Sequence, residues 1–295
     1  MGPSDCGPTV FGVYRRILLF VLSASACAAQ MTPVFLSHVL VVVDQASYEG
    51  IRHSKELGML AKVDERTVEP SCGGWTACYI AGRQTTLEIL AAGQSMEEEP
   101  LRVGRSGIGF GYSGEAGARD IERRLSFAFG NRVTLRTLAK QTLRSSFPWY
   151  SEIDVESGAD RVLSTWFYEL SPGFLIARYP EANGAHVLEH QQYFAAHTLP
   201  NQLLDDIVGV TLALNPAETS LLAAGLKAVG WTVCPLTDKT VVNGPGITIS
   251  LIPSSGRDGI QEVEFRLKRS NPNEDIRIGK IELKLAGETG FLKLQ

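Results

Sequence analysis

Phe35-Leu-Ser-His38-Val-Leu-Val-Val-Val43 is an apolar run of strand length with one imidazole in its middle. A second such run, Gln84-Thr-Thr-Leu-Glu88-Ile-Leu-Ala91, carries one carboxylate in its middle. Buried strands favour apolar residues, and a carboxylate there is costly unless it is paired, hydrogen-bonded or bound to metal. Between the two runs, Asp44 offers a helix N-cap, residues 45–57 read as a helix and Gly58 as its stop. Extended stretches follow at 61–68, 75–81 and 84–91. The order is strand, helix, strand, strand, strand.

The pattern recurs along the chain. A second unit starts at Gly107-Ile-Gly-Phe-Gly-Tyr112, with Ser113 as the helix cap, Ile121, Leu125 and Ala128 on one face and Gly130 as the end. Strands are expected at 132–138, 147–155 and 162–170, the last holding Glu169 between apolar neighbours as Glu88 is held. A third unit starts at residue 206. Asn215-Pro216-Ala-Glu218 begins its helix with a cap, a proline at the first turn and a glutamate at the third position. Leu222, Leu226 and Val229 make the buried stripe, and strands follow near 232–235, 246–252, 261–268 and 276–285. The positions that match His38 and Glu88 by eye are here Gly209 and Ser250.

The 295 residues are 44% hydrophobic and 20% charged, as in an ordinary globular protein, and the net charge of −4 argues against a nucleic-acid partner. Arg15-Arg16, an apolar run from Ile17 and small residues through Ala29 describe a secretory leader over residues 1–28. That predicts a secreted or periplasmic protein with no membrane association once the leader is removed. Of five cysteines, Cys6 and Cys27 would leave with the leader. Cys72 and Cys78 then either close a short disulfide loop or stay as thiols.

Tandem units of this kind, with a histidine on the first strand and a glutamate on the last, resemble the vicinal oxygen chelate superfamily of glyoxalase I, extradiol dioxygenases and bleomycin-resistance proteins. More narrowly, Ser37-His38-Val39, Tyr79-Ile-Ala-Gly-Arg83, Phe147-Pro-Trp149 and Leu204-Asp-Asp-Ile-Val208 are similar to an uncharacterised glyoxalase-like bacterial family. The resemblance implies an α+β fold. Paired βαβββ units over residues 34–180 would form a half-barrel, 181–205 a connector, and 206–295 a further related βαβββ-like unit. It also implies ligand-like positions for a divalent metal at His38, Glu88 and Glu169. The fourth position falls near Ser106, Gly107 or Ile108, which are poor side-chain ligands. One histidine and two carboxylates suit Fe, Mn or Zn.

Two functions follow as expectations. One is an exported metal-dependent lyase, isomerase or dioxygenase acting on a small oxygenated molecule. The other is a metal-free protein of the same fold that binds or sequesters a small-molecule ligand. Strand carboxylates facing water would support neither. Trp149 and Trp166 stand in aromatic clusters that would line a ligand pocket or fill a core. His186-Val-Leu-Glu189-His190 matches the H-x-x-E-H pattern of inverted zinc peptidases, without a third ligand in helical context. The arginines from Arg119 to Arg144 read as a solvated face, or as a contact for an anionic substrate.

Overall fold

The computed structural model describes residues 31–68, 74–96, 99–112, 115–141, 146–156, 161–178, 194 and 197–294. Contacts divide the chain into Met1–Met31 and Thr32–Gln295, and everything below belongs to the second unit. The expected leader, Cys72 and the H-x-x-E-H segment lie outside the described residues.

The first unit is β1 (Phe35–Val43), α1 (Gln45–His53), α2 (Lys55–Leu60), β2 (Val63–Val68), β3 (Trp75–Ala81) and β4 (Thr86–Ala91). Asp44 caps α1 by accepting from the Ser47 amide. The expected single helix to Leu57 is two helices. Ser54 ends the first in an extended conformation and caps the second by accepting from the Leu57 amide. A serine hydroxyl competes with the helical ladder and favours a fresh start, so Gly58 lies inside α2 and does not end it.

A two-strand loop, β5 (Ser95–Met96) with β6 (Glu99–Pro100), leads to the second unit. That unit is β7 (Ser106–Gly111), α3 (Glu115–Phe129), β8 (Val133–Gln141), β9 (Ser146–Val155) and β10 (Leu163–Leu170). A short helix, α4 (Pro172–Arg178), follows. The strands form one eight-stranded sheet in the order β2-β3-β4-β1-β7-β10-β9-β8. β1 and β7 pair antiparallel at its centre, and each has a parallel neighbour on its outer side, β4 or β10. The two halves therefore repeat each other outward from the middle, which is the glyoxalase-like half-barrel of two βαβββ units.

The third unit is β11 (Leu204–Leu214), α5 (Pro216–Ala228), β12 (Thr232–Pro235), β13 (Thr240–Gly244), β14 (Ile247–Pro253), β15 (Gly259–Ile278) and β16 (Ile281–Leu294). Its sheet order, β12-β13-β14-β11-β15-β16, copies β2-β3-β4-β1 and then places β15 where β7 stands beside β1. The sequence reading missed β13 and drew one strand over 276–285. Gly279, at φ +59, turns the chain there, so Ile278 ends β15 and Ile281 begins β16. Asn215 caps α5 as expected, with Leu222 and Leu226 buried in the helix and Val229 buried at its C-cap.

One continuous apolar core joins both sheets and the helices between them. Val39, Val41, Phe110 and Phe167 enter it from the first sheet, and Leu212, Val263 and Phe265 from the second. The opposite, concave face of the first sheet carries two smaller clusters, one per unit. β1 is thus covered on both faces, which explains its unbroken apolar run from Val39 to Val43.

Candidate functional site

The concave face of the eight-stranded sheet encloses a cavity of about 460 Å³. Alternation along each strand decides which side chains reach it. On β1 these are His38 and Leu40, on β4 Thr86 and Glu88, on β3 Tyr79 with Trp75, and on β10 Trp166, Tyr168 and Leu170. Trp149 also stands in the wall. The expected binding residues Trp149 and Trp166 are therefore both placed at this cavity.

His38 and Glu88 meet directly, Nε2 to Oε2 at 2.7 Å. The other carboxylate oxygen accepts from the Trp75 indole N–H and from the Tyr79 hydroxyl, each at 2.7 Å. Glu88 is 4% exposed. Burial opposes its charge, but the hydrogen bond and attraction from His38, with those from Tyr79 and Trp75, prevail and hold the carboxyl below the usual range. Burial and the neighbouring Glu88 push the Tyr79 hydroxyl far up, so it remains a phenol and a donor. An ionised carboxylate only accepts, so the shared proton belongs to Nε2 of His38. No partner for Nδ1 stands among the described residues. A bulge between Leu36 and His38 shifts the β1–β7 register at this point and sets the direction of the imidazole. Ser37, within the bulge, lies 3.0 Å from the Tyr168 hydroxyl and 3.3 Å from the Gly109 carbonyl oxygen.

The third expected ligand does not join this pair. Glu169 follows Tyr168 on β10, and Tyr168 and Trp166 point into the cavity. Glu169 therefore shares the face of Phe167, on the helix side, where its charge acts on Tyr112. Register gives the reason. Glu88 pairs with Leu40, two residues beyond His38 on a cavity-facing parity, and the matching cavity-facing positions of β10 are even-numbered. A likeness of letters that is off by one residue selects the wrong face.

The second unit's half of the cavity is filled differently. A Cβ on Gly107 or Gly109 of β7 would lie 2.8 or 2.7 Å from the Trp166 ring. The indole thus occupies the space above the two glycines, with its ring centroid 6.0 Å from that of His38. Among the described residues no three His, Cys, Asp or Glu side chains gather as a metal-binding group. The donor set offered to a resident metal is one imidazole bound to one carboxylate that already accepts three hydrogen bonds. That set falls short of the three protein ligands of a catalytic zinc site and of the two histidines and one carboxylate of a non-haem iron site.

A second polar group was not visible in the sequence. Glu152 and Asp154, two apart on one face of β9, line the cavity and share Arg136 of β8, at 3.4 and 3.1 Å. Glu152 is 7% exposed. Burial, with the Asp154 charge beside it, pushes its carboxyl up to about 8 against the opposing pull of Arg136. Trp75 and Tyr79 were missed as well. The available signal was the two-residue period that puts 75, 77 and 79 on one face, with Tyr79 opposite Glu88 across the β3–β4 pair.

A family model described as a family of unknown function matches residues 36–292. No curated protein sequence matches the chain significantly. Among solved structures, a hypothetical protein from Staphylococcus aureus superposes with TM-score 0.53 at 10% identity, covering 83% of this chain and 95% of that one. It supports the fold. A xylose isomerase-like TIM barrel/4-hydroxyphenylpyruvate dioxygenase fusion protein aligns at TM-score 0.43 and 12% identity, over 84% of this chain and 40% of that one. A mutant 4-hydroxymandelate synthase from Streptomyces coelicolor aligns at 0.39 and 12%, over 78% and 70%.

Proposed function

The chain belongs to the family of unknown function DUF5829, and from that premise, which assigns no chemistry, we propose that it binds a small aromatic molecule in the concave cavity without a resident metal. The observation that carries this reading is the state of Glu88. Its oxygens are taken by His38, Trp75 and Tyr79, so it serves as an anchor for the imidazole. In its neutral form His38 would present Nδ1 to the ligand as an acceptor for a hydroxyl or N–H group. A carboxylate-oriented imidazole is also a general base, able to take a proton from that group. The aromatic wall supplies apolar burial and ring stacking, and a volume of about 460 Å³ suits one small molecule. Export is part of the proposal, on the leader-like residues 1–28.

Metal analysis of the purified protein, after incubation with iron(II), manganese(II) and zinc(II) and desalting, tests the central point. We expect well under one equivalent of each. Stoichiometric metal that disappears in His38→Ala overturns the reading in favour of a metal-dependent enzyme. Tryptophan fluorescence gives the positive arm, since Trp75, Trp149 and Trp166 all line the cavity and a bound aromatic would quench them.

A further inference from the structure

β2 brings a guanidinium to the rim of the cavity. Along this edge strand Asp64, Arg66 and Val68 share the concave face, where Val68 packs against the cluster of Leu40, Tyr79 and Leu90. Glu65, of the opposite parity, turns to the helix side and meets Tyr48 and Arg52. Arg66 lines the cavity and is held twice. Its Nε donates to Asp64 Oδ2 at 2.8 Å, and its guanidinium carbon lies 4.7 Å from the Tyr79 ring centroid. A hydrogen bond on one edge and an aromatic ring on one face fix the plane of the fork.

The other edge of that fork is open. No hydrogen-bond acceptor meets Nη1 or Nη2 of Arg66 among the described residues. Asp64 does not cancel the local charge either, because it also serves Lys62, at 3.6 Å. Lys62, Asp64 and Arg66 together carry one positive charge. A guanidinium so fixed, with its terminal amino groups unused, is prepared for a planar acceptor with two oxygens, which is the geometry of a carboxylate. Tyr79 joins the fork to the imidazole. Its ring stands nearly perpendicular to that of His38, with centroids 6.4 Å apart, while Arg66 covers its face. Thr86, the register partner of His38 on β4, lines the same part of the wall. One small molecule can therefore lie on the aromatic wall with a hydroxyl or N–H at His38 and a carboxylate at Arg66.

We propose that the cavity selects aromatic carboxylic acids, bound as carboxylates, and that the open edge of Arg66 is what recognises them. The inference rests on the aromatic-ligand reading above and adds the group by which the ligand is chosen. The division of labour is spatial: Arg66 holds the ligand from the rim, and His38, held by Glu88, meets it deeper in the sheet.

Matched probes test this on the full protein near neutral pH: 1-naphthoate and 1-naphthalenemethanol, the same ring with and without the carboxylate, each titrated by tryptophan quenching. Naphthoate is expected to bind at least about tenfold more tightly than the alcohol. Arg66→Gln, on an edge strand and partly exposed, removes that preference and leaves the Kd of the alcohol within about twofold, so the alcohol also reports an intact cavity. Arg66→Lys keeps the charge but not the fork and recovers only part of the preference. It remains readable if Arg66→Gln fails to fold. A merely structural role for Arg66 would weaken both probes alike. Equal affinity of the unaltered protein for the two probes, an unchanged preference in Arg66→Gln, a full preference in Arg66→Lys, or parallel losses for both probes each overturn the inference and leave the aromatic cavity standing. Failure of both probes to bind removes the aromatic-cavity reading and this inference with it.

Discussion

Glu88 stays ionised while 4% exposed because each of its oxygens is met by a donor, and each of those donors depends on it in return. Removing one member of such a set leaves buried N–H and O–H groups without acceptors, at a cost of about 1–3 kcal/mol each. Glu88→Ala should therefore lose roughly 3–5 kcal/mol, more than the deleted methylenes explain. Glu88→Gln should lose about 2 kcal/mol, since its amide nitrogen turns a donor toward donors. Tyr79→Phe, which removes one donor and leaves no orphan, should cost no more than about 1.5 kcal/mol. Urea unfolding of the three variants checks the order, and Tyr79→Phe costing more than Glu88→Ala would refute the network. His38 and Glu88 were legible in the sequence because a charge inside an apolar strand demands a partner. Trp75 and Tyr79 were not, because an aromatic residue on a strand reads first as packing. Glu152 and Arg136 were hidden because strand sequence does not say which charged residues share a face across β8 and β9.

The βαβββ elements could be read from caps and periods, and their ends failed where a local rule met competition. Gly58 looked like a helix stop, yet Ser54 had already restarted the helix four residues earlier. Glycine means something else in β7. Gly107 and Gly109 are short of side chain because Trp166 lies on them, so this glycine-rich strand is the bed of an indole. The two settings predict opposite outcomes for one substitution. Gly109→Ala sets a Cβ 2.7 Å from the Trp166 ring and should cost about 1–3 kcal/mol while displacing the indole into the cavity. Gly58→Ala, with nothing within 4 Å of the new Cβ, should be neutral or stabilising by up to about 1 kcal/mol. Thermal unfolding separates them. The Trp166 emission should shift in Gly109→Ala alone, and equal behaviour of the two variants would mean that the indole does not rest on β7.

At the scale of the whole molecule, the third unit is joined to the first two by more than apolar contact. Asp206, 4% exposed, accepts from the amides of Gln84 and Thr85 and from the Thr85 hydroxyl at the start of β4. A Cβ on Gly82 would lie 2.6 Å from the Asp206 carboxylate, so the glycine lets the two segments close. The motifs Tyr79-Ile-Ala-Gly-Arg83 and Leu204-Asp-Asp-Ile-Val208, distant in sequence, are thus two sides of one latch. The Trp231 indole donates to the Val34 carbonyl at 2.9 Å, and Glu218 accepts from the amides of Val162 and Leu163. The sequence showed a third unit but not this dependence, because repeat pattern says nothing of which faces the copies share. A protein shortened to end at residue 203 would expose the helix-side core of the first sheet, which Leu212, Leu226 and Trp231 now cover. Loss of that burial costs roughly 25 cal/mol per Å² of apolar surface exposed, against a margin of only about 5–15 kcal/mol by which a domain is stable. We expect the shortened chain to lack a cooperative thermal transition and to give poorly dispersed amide resonances. Adding residues 204–295 as a separate chain should restore both, if association can replace the missing connection. A shortened chain that unfolds cooperatively and still quenches with an aromatic probe would show instead that the half-barrel stands alone and that the third unit serves another purpose.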